Sequence, residues 1–350
     1  MLALAFIAST LTLANVQGTT VAAKPAAAQP VAAASTEMWA DPTNAALIYY
    51  KQWIGRSKED RDKIREVWPA AMDKVPTEEV VKLLKSRQDE IGAYIRAGKA
   101  PECDFGIEWS NGFMAIMPHL SECRDVARML ALDAQRLASE GKPDDAAERV
   151  AAIYQLAGHV AKDRILISSL VSIAISAVGD KAAVYVVTTT RPTVASRDMM
   201  LAAAKQLRAG DFGVMSAIRS EREIASQRLT REYRDVDAGK KLMNDIGGAM
   251  LDSKGPEAAK QMETQQAIAA MDGVSLAADL QKMDGYYTEL SAAWNVPDAI
   301  DKIKTLEARL SAGEFGTVAK VIGPAFNKVR VSETKGQAGL DATIAKLGQY

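Results

Sequence analysis

The spacing of apolar residues across 120–187 constrains the fold of this 350-residue chain more than any other feature. Across 120–137, apolar and small side chains recur at alternating intervals of three and four residues, and the same spacing continues across 146–160. This spacing places them on one face of an amphipathic α-helix. A short Gly-Lys-Pro turn beginning at Gly141 joins the two segments, so we expect an antiparallel helical hairpin. The positions that form the first apolar face are Leu120, Cys123, Ala127, Leu130, Ala134 and Leu137.

The segment that follows this hairpin, 164–187, is apolar on nearly every side. A helix without a polar face is expected in the middle of a bundle, although the β-branched residues at 184–187 favour helix less strongly there. Its most apolar stretch, Ile165–Val178, is shorter than the roughly 20 residues of a membrane span. We therefore expect a buried core helix.

Composition and the rest of the chain favour the same fold class. Aromatic residues make up only 6% of the sequence, and no stretch combines strand alternation with hairpin turns. The predicted class is all-α, as a helical bundle or an irregular array of antiparallel helical hairpins. Further helices are expected from about residue 44, from Ser57 to Pro69, and over 77–97 (ending at Gly98), 194–207, 212–233, 262–271, 298–310 and 317–331, the last interrupted at Pro324.

The first 36 residues have the pattern of an export signal and a tether. Residues 1–23 are mostly apolar and end in small residues, which predicts a signal peptide or an N-terminal anchor, although no Lys or Arg precedes the apolar run. Residues 24–36 are rich in Ala and Pro and are predicted to form a linker. We predict a main helical domain over 37–235 and a C-terminal helical region over 236–350 that packs on it, in a periplasmic or secreted protein.

One loop and the helix start after it gather most of the chemically versatile side chains. Both cysteines, Cys103 and Cys123, lie there together with one of the two histidines, His119. The acidic residues are Asp104, Glu108 and Glu122. Asp104, Glu108, His119 and Glu122 form the candidate functional cluster.

Several interpretations of the two cysteines remain open. In an exported protein they could form a Cys103–Cys123 disulfide, which would close a loop of about twenty residues. They could instead be free, with Cys123 acting as a small apolar residue in the helix face. They could bind zinc with His119 and a carboxylate, although no paired Cys-x-x-Cys spacing is present. A Cys–His catalytic pair, with His119 or His159 as the base, is the fourth interpretation.

Other chemical signals are weaker. Asp104 and Glu108 could form a carboxylate pair for glycoside hydrolysis with Trp109 as a stacking surface, but an exposed acidic loop also explains them. His159 is expected to flank the apolar face or to act as a cation near a helix C-terminus. We assign no catalytic residue, cofactor or metal site from the sequence, because it has no phosphate-binding glycine loop or zinc-protease motif.

The charge pattern argues against nucleic-acid binding. Lys and Arg total 43 against 44 Asp and Glu, and acidic residues interleave the cations of the segment 219–241. Pairs such as Arg228 with Glu232 are spaced to stabilise a solvated helix, whereas a nucleic-acid surface needs uncompensated positive charge. An inward-facing Glu221–Arg222 pair is the alternative, because Ile218 and Ile224 flank it.

Short motifs are scattered over about 40–230, namely Cys103-Asp104-Phe105-Gly106, Pro118-His119-Leu120, Arg124, Ala127-Arg128, Gly141, Gly158-His159 and Leu166-Ile167-Ser168-Ser169-Leu170-Val171. In these motifs the chain resembles a group of exported helical proteins common in planctomycete bacteria. The resemblance implies export and a helical fold. No activity is established for that group, so it implies no mechanism, and the last third of the chain follows its pattern poorly.

Function is therefore predicted in two alternative forms. The first is a non-enzymatic protein of the cell envelope that binds a partner protein or serves as a structural component, because helical hairpins recur without a catalytic set. The second is a hydrolase or metal-dependent enzyme with Cys103, Asp104, Glu108 and His119 around a cleft. An enzyme would need these side chains to converge on an open pocket.

Overall fold

A computed structural model describes residues 41–59, 61–62, 76–109, 116–247, 256–323 and 325–349, and the described residues contain fifteen α-helices and no strand. The all-α prediction is therefore confirmed. The predicted signal peptide, linker and most of the helix predicted over 57–69 lie outside the described residues. The helices are α1 Ala45–Ile54, α2 Glu78–Ser86, α3 Gln88–Lys99, α4 His119–Ser139, α5 Pro143–Ala161, α6 Leu166–Thr189, α7 Val194–Ala209, α8 Val214–Glu223, α9 Leu229–Glu232, α10 Ala238–Gly247, α11 Pro256–Ala269, α12 Gly273–Trp294, α13 Ala299–Ala312, α14 Thr317–Ile322 and α15 Phe326–Leu347.

Helices α4, α5 and α6 form the centre of the molecule, as the apolar spacing predicts. Every member of the first apolar face is buried, from Leu120 to Leu137, and Gly141 turns the chain with φ +75°. Proline at the first position of α5 suits its fixed φ, because the missing N–H would have no partner inside the helix. Helices α4 and α5 pack against each other and both pack against α6.

Helix α6 is apolar all round because other helices cover it on several sides. It contacts α4, α5, α8 and α15, and it remains helical through 184–187. In the described part of the chain it is the one helix long and apolar enough to cross a membrane, and 56% of its most apolar window is buried against protein. The buried serines Ser168, Ser169, Ser172 and Ser176 share its interior face.

The C-terminal region contains long helices that the sequence only partly predicts. Helices α10 and α12 were not expected, and α15 continues to Leu347. Helix α15 packs against α6 and α7, so the end of the chain closes over the central helices. An aromatic cluster that includes Trp294 and Phe326 joins α12 to α15.

The helix predicted over 77–97 is two helices, and its predicted glycine stop is wrong. Thr77 caps α2 as expected, because its side-chain oxygen accepts a hydrogen bond from Val80 N at 3.4 Å. The backbone then bends at Arg87. Gly98 lies inside α3 rather than after it, and a Cβ there would require the end of the Gln155 side chain of α5 to move. Helix α3 packs against α5 and ends at Lys99.

Candidate functional site: a charged cleft

A cleft of about 1070 Å³ opens between three segments that are far apart in the sequence. The first is the loop 101–109, the second is the turn 162–164 between α5 and α6, and the third is the stretch 220–231. We call this space the charged cleft. Its lining residues are Asn44, Pro101, Glu102, Cys103, Asp104, Ile107, Trp109, Lys162, Asp163, Arg164, Ser220, Glu223, Ile224, Gln227, Arg228 and Arg231.

The start of α1 fixes the loop wall. Asn44 caps α1 by accepting a hydrogen bond from Ala46 N at 3.1 Å, and the same side-chain oxygen accepts from Asp104 N at 2.9 Å. Its amide donates to the Asp104 carbonyl at 3.1 Å. Tyr50 donates to the Phe105 carbonyl at 2.8 Å, which holds the next residue of the loop as well. One polar side chain thus joins a helix end to the acidic edge of the cleft.

A buried polar group fixes the turn wall from behind. Asp163 Oδ2 lies 2.8 Å from His119 Nε2 and accepts a hydrogen bond from Ser168 Oγ at 2.8 Å. The His119 ring also stacks on Phe105, with ring centroids 4.3 Å apart. Ser168 donates to the carboxylate and not to the imidazole, so these residues do not form a nucleophilic triad, in which histidine accepts the serine proton. The group ties the loop and the turn to α4 and α6.

Arg164 occupies an unusual backbone conformation in that turn. Its φ is +58°, a left-handed conformation that is uncommon outside glycine and that carries a cost of about 1–3 kcal/mol. Such residues cluster at ligand-binding and catalytic sites. The arginine side chain is exposed at the rim of the cleft.

The carboxylate of Glu221, a residue of α8 beside the lining residue Ser220, supports the start of α6. It accepts a hydrogen bond from Leu166 N at 3.0 Å, one of the N-terminal amides that has no partner within the helix. Burial raises the pKa of Glu221 to about 7, although the Leu166 hydrogen bond acts in the opposite direction. The inward orientation considered for this position is confirmed for Glu221. Arg222, in contrast, forms a two-pronged ion pair with Asp284 of α12 at 2.6 and 2.7 Å.

The third wall is formed by an irregular helix. Residues Ile224–Arg228 adopt a π-helix between α8 and α9, and this segment packs on α12. Ile224, Gln227 and Arg228 from it line the cleft. Single π-helical turns are rare and frequently occur at functional sites.

The candidate cluster predicted from the sequence is only partly assembled. Cys103 and Asp104 line the cleft together, and Trp109 lies beside them. His119 is buried behind the wall with Asp163, and Glu108 is exposed but does not line the cleft. Glu122 turns away from it and pairs with Arg56 at 3.1 Å.

The predicted disulfide is wrong, because Cys103 and Cys123 are both free thiols. Cys123 is completely buried in the apolar face of α4, while Cys103 is half-buried at the cleft edge. Burial raises the pKa of Cys103 to about 12 and also raises that of Cys123. Neither thiol therefore forms the thiolate that nucleophilic catalysis needs near neutral pH.

The structure also gives no support to the zinc site or to the cationic role considered for His159. Across the ranges that the structure describes, no group of three or more His, Cys, Asp or Glu side chains is arranged to hold a metal ion. The suggestion that His159 acts as a cation is wrong, because burial and then the charge of Lys162 lower its pKa to about 4. Its Nδ1 lies 3.3 Å from the hydroxyl of Tyr49.

Most cationic residues of the cleft were missed as site residues. Arg228 and Arg231 were interpreted as part of a solvated helix, and Arg228 does lie 3.7 Å from Glu232 as that interpretation requires. Lys162 and Arg164 carried no signal in the sequence. Helical spacing shows which residues share a helix, but it does not show that a distant turn will meet them.

A second, smaller cavity of about 490 Å³ adjoins the first. Pro101, Lys162 and Arg164 line both cavities, and Lys162 Nζ donates to the Pro101 carbonyl at 3.3 Å. His159 and Phe212 line the second cavity. The two spaces therefore share a rim that is crossed by one hydrogen bond from a surface lysine.

No family model matches this chain, and no curated protein or solved structure matches it either.

Proposed function

We propose that this chain is an exported, non-enzymatic protein of the cell envelope that binds a partner molecule in the charged cleft. The observation that carries the proposal is the cleft itself. It is large, open and lined by charged side chains, while the reactive groups near it are buried or engaged. Small-molecule sites are concave, with polar groups placed to fix the ligand, and this cleft offers more charged groups and less apolar surface than most such sites.

The hydrolase alternative has less support from the same geometry. The Cys103 thiol has a pKa of about 12, and His119 lies against Asp163 rather than against a thiol or hydroxyl. Glu108 does not share the cleft with Asp104, so the carboxylate pair needed for glycoside hydrolysis is not formed there. Glu221 has a pKa suited to proton transfer, but its carboxylate supports Leu166 N.

Export is proposed from the sequence of residues 1–23 and the Ala/Pro-rich residues 24–36. Cell fractionation of the source organism, with N-terminal sequencing of the purified mature chain, tests this part. We expect the protein in the envelope or medium, cleaved within residues 18–23 or retained as an anchored form. A cytosolic chain that keeps its first residues would contradict export.

Binding is tested by a thermal-shift screen of the full chain against charged small molecules and short peptides. We expect ligands that raise the melting temperature of the wild type and lose this effect in an Arg228→Gln, Arg231→Gln double variant. Lys304→Gln is the matched control, because Lys304 is exposed in α13 and does not line the cleft. Turnover of a screened compound, or hits unaffected by the double variant, would contradict the proposal.

A further inference from the structure

The charged cleft distributes its charges unevenly among its three walls, of which the loop and the turn adjoin where Lys162 Nζ donates to the Pro101 carbonyl. The loop wall contributes two carboxylates, Glu102 and Asp104, and no cation. The other two walls contribute four cations, Lys162, Arg164, Arg228 and Arg231. They also contribute the carboxylates of Asp163 and Glu223, of which Asp163 is engaged by His119 and Ser168.

Charges on both sides remain available to a ligand. Among the described residues, the side chains of Glu102 and Arg164 have neither a hydrogen bond nor an ion pair. Both belong to the cleft lining, and both are exposed at its rim. Arg231 makes one long hydrogen bond of 3.4 Å to Gln227, which leaves most of its five donors unused.

Neither a simple anion nor a simple cation suits this arrangement. An anion in the cleft would face the carboxylates of Glu102 and Asp104, and a cation would face the guanidinium groups of Arg164 and Arg228. A ligand with an ammonium at one end and a carboxylate at the other would meet an opposite charge at each end. Charge-assisted hydrogen bonds at both ends would then fix its orientation.

The volume of the cleft and its uncharged lining residues further limit the class of ligand that it can bind. The cleft volume of about 1070 Å³ lies at the upper end of ligand pockets, which span about 300–1,000 Å³. It therefore has room for several amino-acid residues. Ser220 and Gln227 offer polar groups for peptide bonds, and Ile107, Trp109 and Ile224 offer apolar surface for side chains.

We propose that the charged cleft binds a short peptide with free ends, its ammonium near Glu102 and Asp104 and its carboxylate near Arg164 and Arg228. This inference rests on the proposed binding function and specifies its ligand class. It assigns opposite roles to the loop and to the turn, so the two walls can be tested separately.

The test is isothermal titration calorimetry of the full chain with four forms of tetra-alanine. These are the free peptide, the N-acetylated peptide, the C-amidated peptide and the doubly capped peptide. For the wild type we expect each single cap to weaken binding by about tenfold, because each removes one charge-assisted contact. The doubly capped peptide should bind most weakly.

Two variants distinguish recognition of the peptide ammonium from recognition of the peptide carboxylate. Glu102→Gln should discriminate less between the free and acetylated peptides, because only Asp104 remains at that end, and should keep its discrimination against the amide. Arg164→Gln should discriminate less between the free and amidated peptides, because only Arg228 remains at that end, and should keep its discrimination against the acetylated form. Lys304→Gln should behave as the wild type, and circular dichroism checks that each variant is folded.

Three results would overturn this inference. Sensitivity to the carboxylate cap alone would indicate a plain anion site, and equal binding of all four peptides would show that the ends are not recognised. Absence of peptide binding would also contradict it. If the thermal-shift screen still yields cleft-dependent hits in that case, the proposed binding function stands without the peptide. If it yields none, both fail.

Discussion

The central helices α4–α6 and the segment 211–232 differ in how regularly the chain is built. In α4 and α5, apolar side chains follow helical spacing and are buried almost without exception, and α6 buries most of its apolar residues against them and other helices. In 211–232, three successive residues have positive φ, Asp211, Phe212 and Gly213, and a π-helix follows after the ten residues of α8. The regular region buries its side chains, and the irregular region forms part of the cleft wall.

This contrast indicates a division of roles. Close-packed helices stabilise the fold but leave little internal space, because protein interiors have the density of organic crystals. A cleft needs backbone that departs from that packing while remaining anchored to it. Here the half-buried Glu221 lies in α8 between two residues of the cleft lining, Ser220 and Glu223, and accepts a hydrogen bond from the first turn of α6.

Truncating a buried apolar side chain in the regular region should have the largest effect on the free energy of unfolding. Leu130 is 1% exposed in the middle of α4, so Leu130→Ala should lower the free energy of unfolding by about 3–5 kcal/mol. Urea denaturation followed by circular dichroism measures this. Arg231→Gln in the irregular wall is the comparison and should change stability by no more than about 0.5 kcal/mol. Equal losses in the free energy of unfolding for Leu130→Ala and Arg231→Gln would contradict the division of roles between the two regions.

Gly213 tests whether the irregular backbone is fixed by its surroundings. It has φ +72°, and a Cβ there would lie 2.5 Å from the Ala161 carbonyl oxygen. Gly213→Ala should therefore destabilise the protein by about 3 kcal/mol. Gly158→Ala in α5 is the matched control, because its Cβ would meet nothing within 4 Å. The control should be neutral or up to about 1 kcal/mol more stable, measured by the same denaturation.

The raised pKa of Glu221 should be visible in the pH dependence of the free energy of unfolding. Its folded-state pKa of about 7 lies above the ordinary 4.5. Its contribution is therefore fully present below pH 4.5 and is lost as the pH rises through 7. Glu221→Gln should gain stability relative to the wild type by on the order of 2 kcal/mol between pH 4.5 and pH 8.

His159 provides a control of opposite sign for this experiment. Its pKa is lowered to about 4 from 6.5, so its contribution is present above pH 6.5 and is lost as the pH falls through 4. His159→Gln should lose this acid-side dependence and keep the effect of Glu221. Chemical denaturation at a series of pH values measures both variants. A parallel stability profile for the Glu221→Gln variant and the wild type would show that the carboxyl is not buried as described.

The smallest expected effect on stability concerns Arg164. Arg164→Gly relieves the strain of a φ of +58° but adds chain entropy to the unfolded state, so stability should stay within about 0.5 kcal/mol of the wild type. Discrimination between free and amidated tetra-alanine should nevertheless fall, because only Arg228 would remain near the peptide carboxylate. Intact discrimination in a folded Arg164→Gly variant would show that the guanidinium does not contact the ligand.

The sequence predicts the regular region far better than the irregular one. Apolar positions at intervals of three and four residues locate α4 and α5, because burial of one helix face requires that spacing. Helix α6 was located because it is apolar on nearly every side, as expected of a helix in the middle of a bundle. Helix α12 has the same spacing, since its buried positions recur at intervals of four and three, namely Leu276, Leu280, Met283, Tyr287, Leu290 and Trp294. It was missed because the polar and glycine-rich composition of the C-terminal region was given more weight than this spacing. The bend at Arg87 and the length of α3 depend on packing against other helices, which local sequence does not encode.

The candidate site could be predicted only in part, because local sequence does not show which distant segments will meet. Cys103 and Asp104 were found because they lie in a loop of unusual composition. Lys162, Arg164 and Arg228 were not, since they join the cleft only when α5, α6 and α8 are packed together. The π-helix has no simple sequence pattern, because its extra residue per turn is selected by contacts with α12.

Hydrogen-exchange mass spectrometry of the full chain, alone and with free tetra-alanine, tests the division of roles most directly. Amides in 119–161 and 166–189 are expected to exchange slowest and to be unaffected by peptide. Amides in 101–109, in the turn 162–164 and in 211–232 should exchange faster and become slower when peptide binds. Equal exchange in the two sets of segments, or protection by peptide confined to 119–161 and 166–189, would contradict this account.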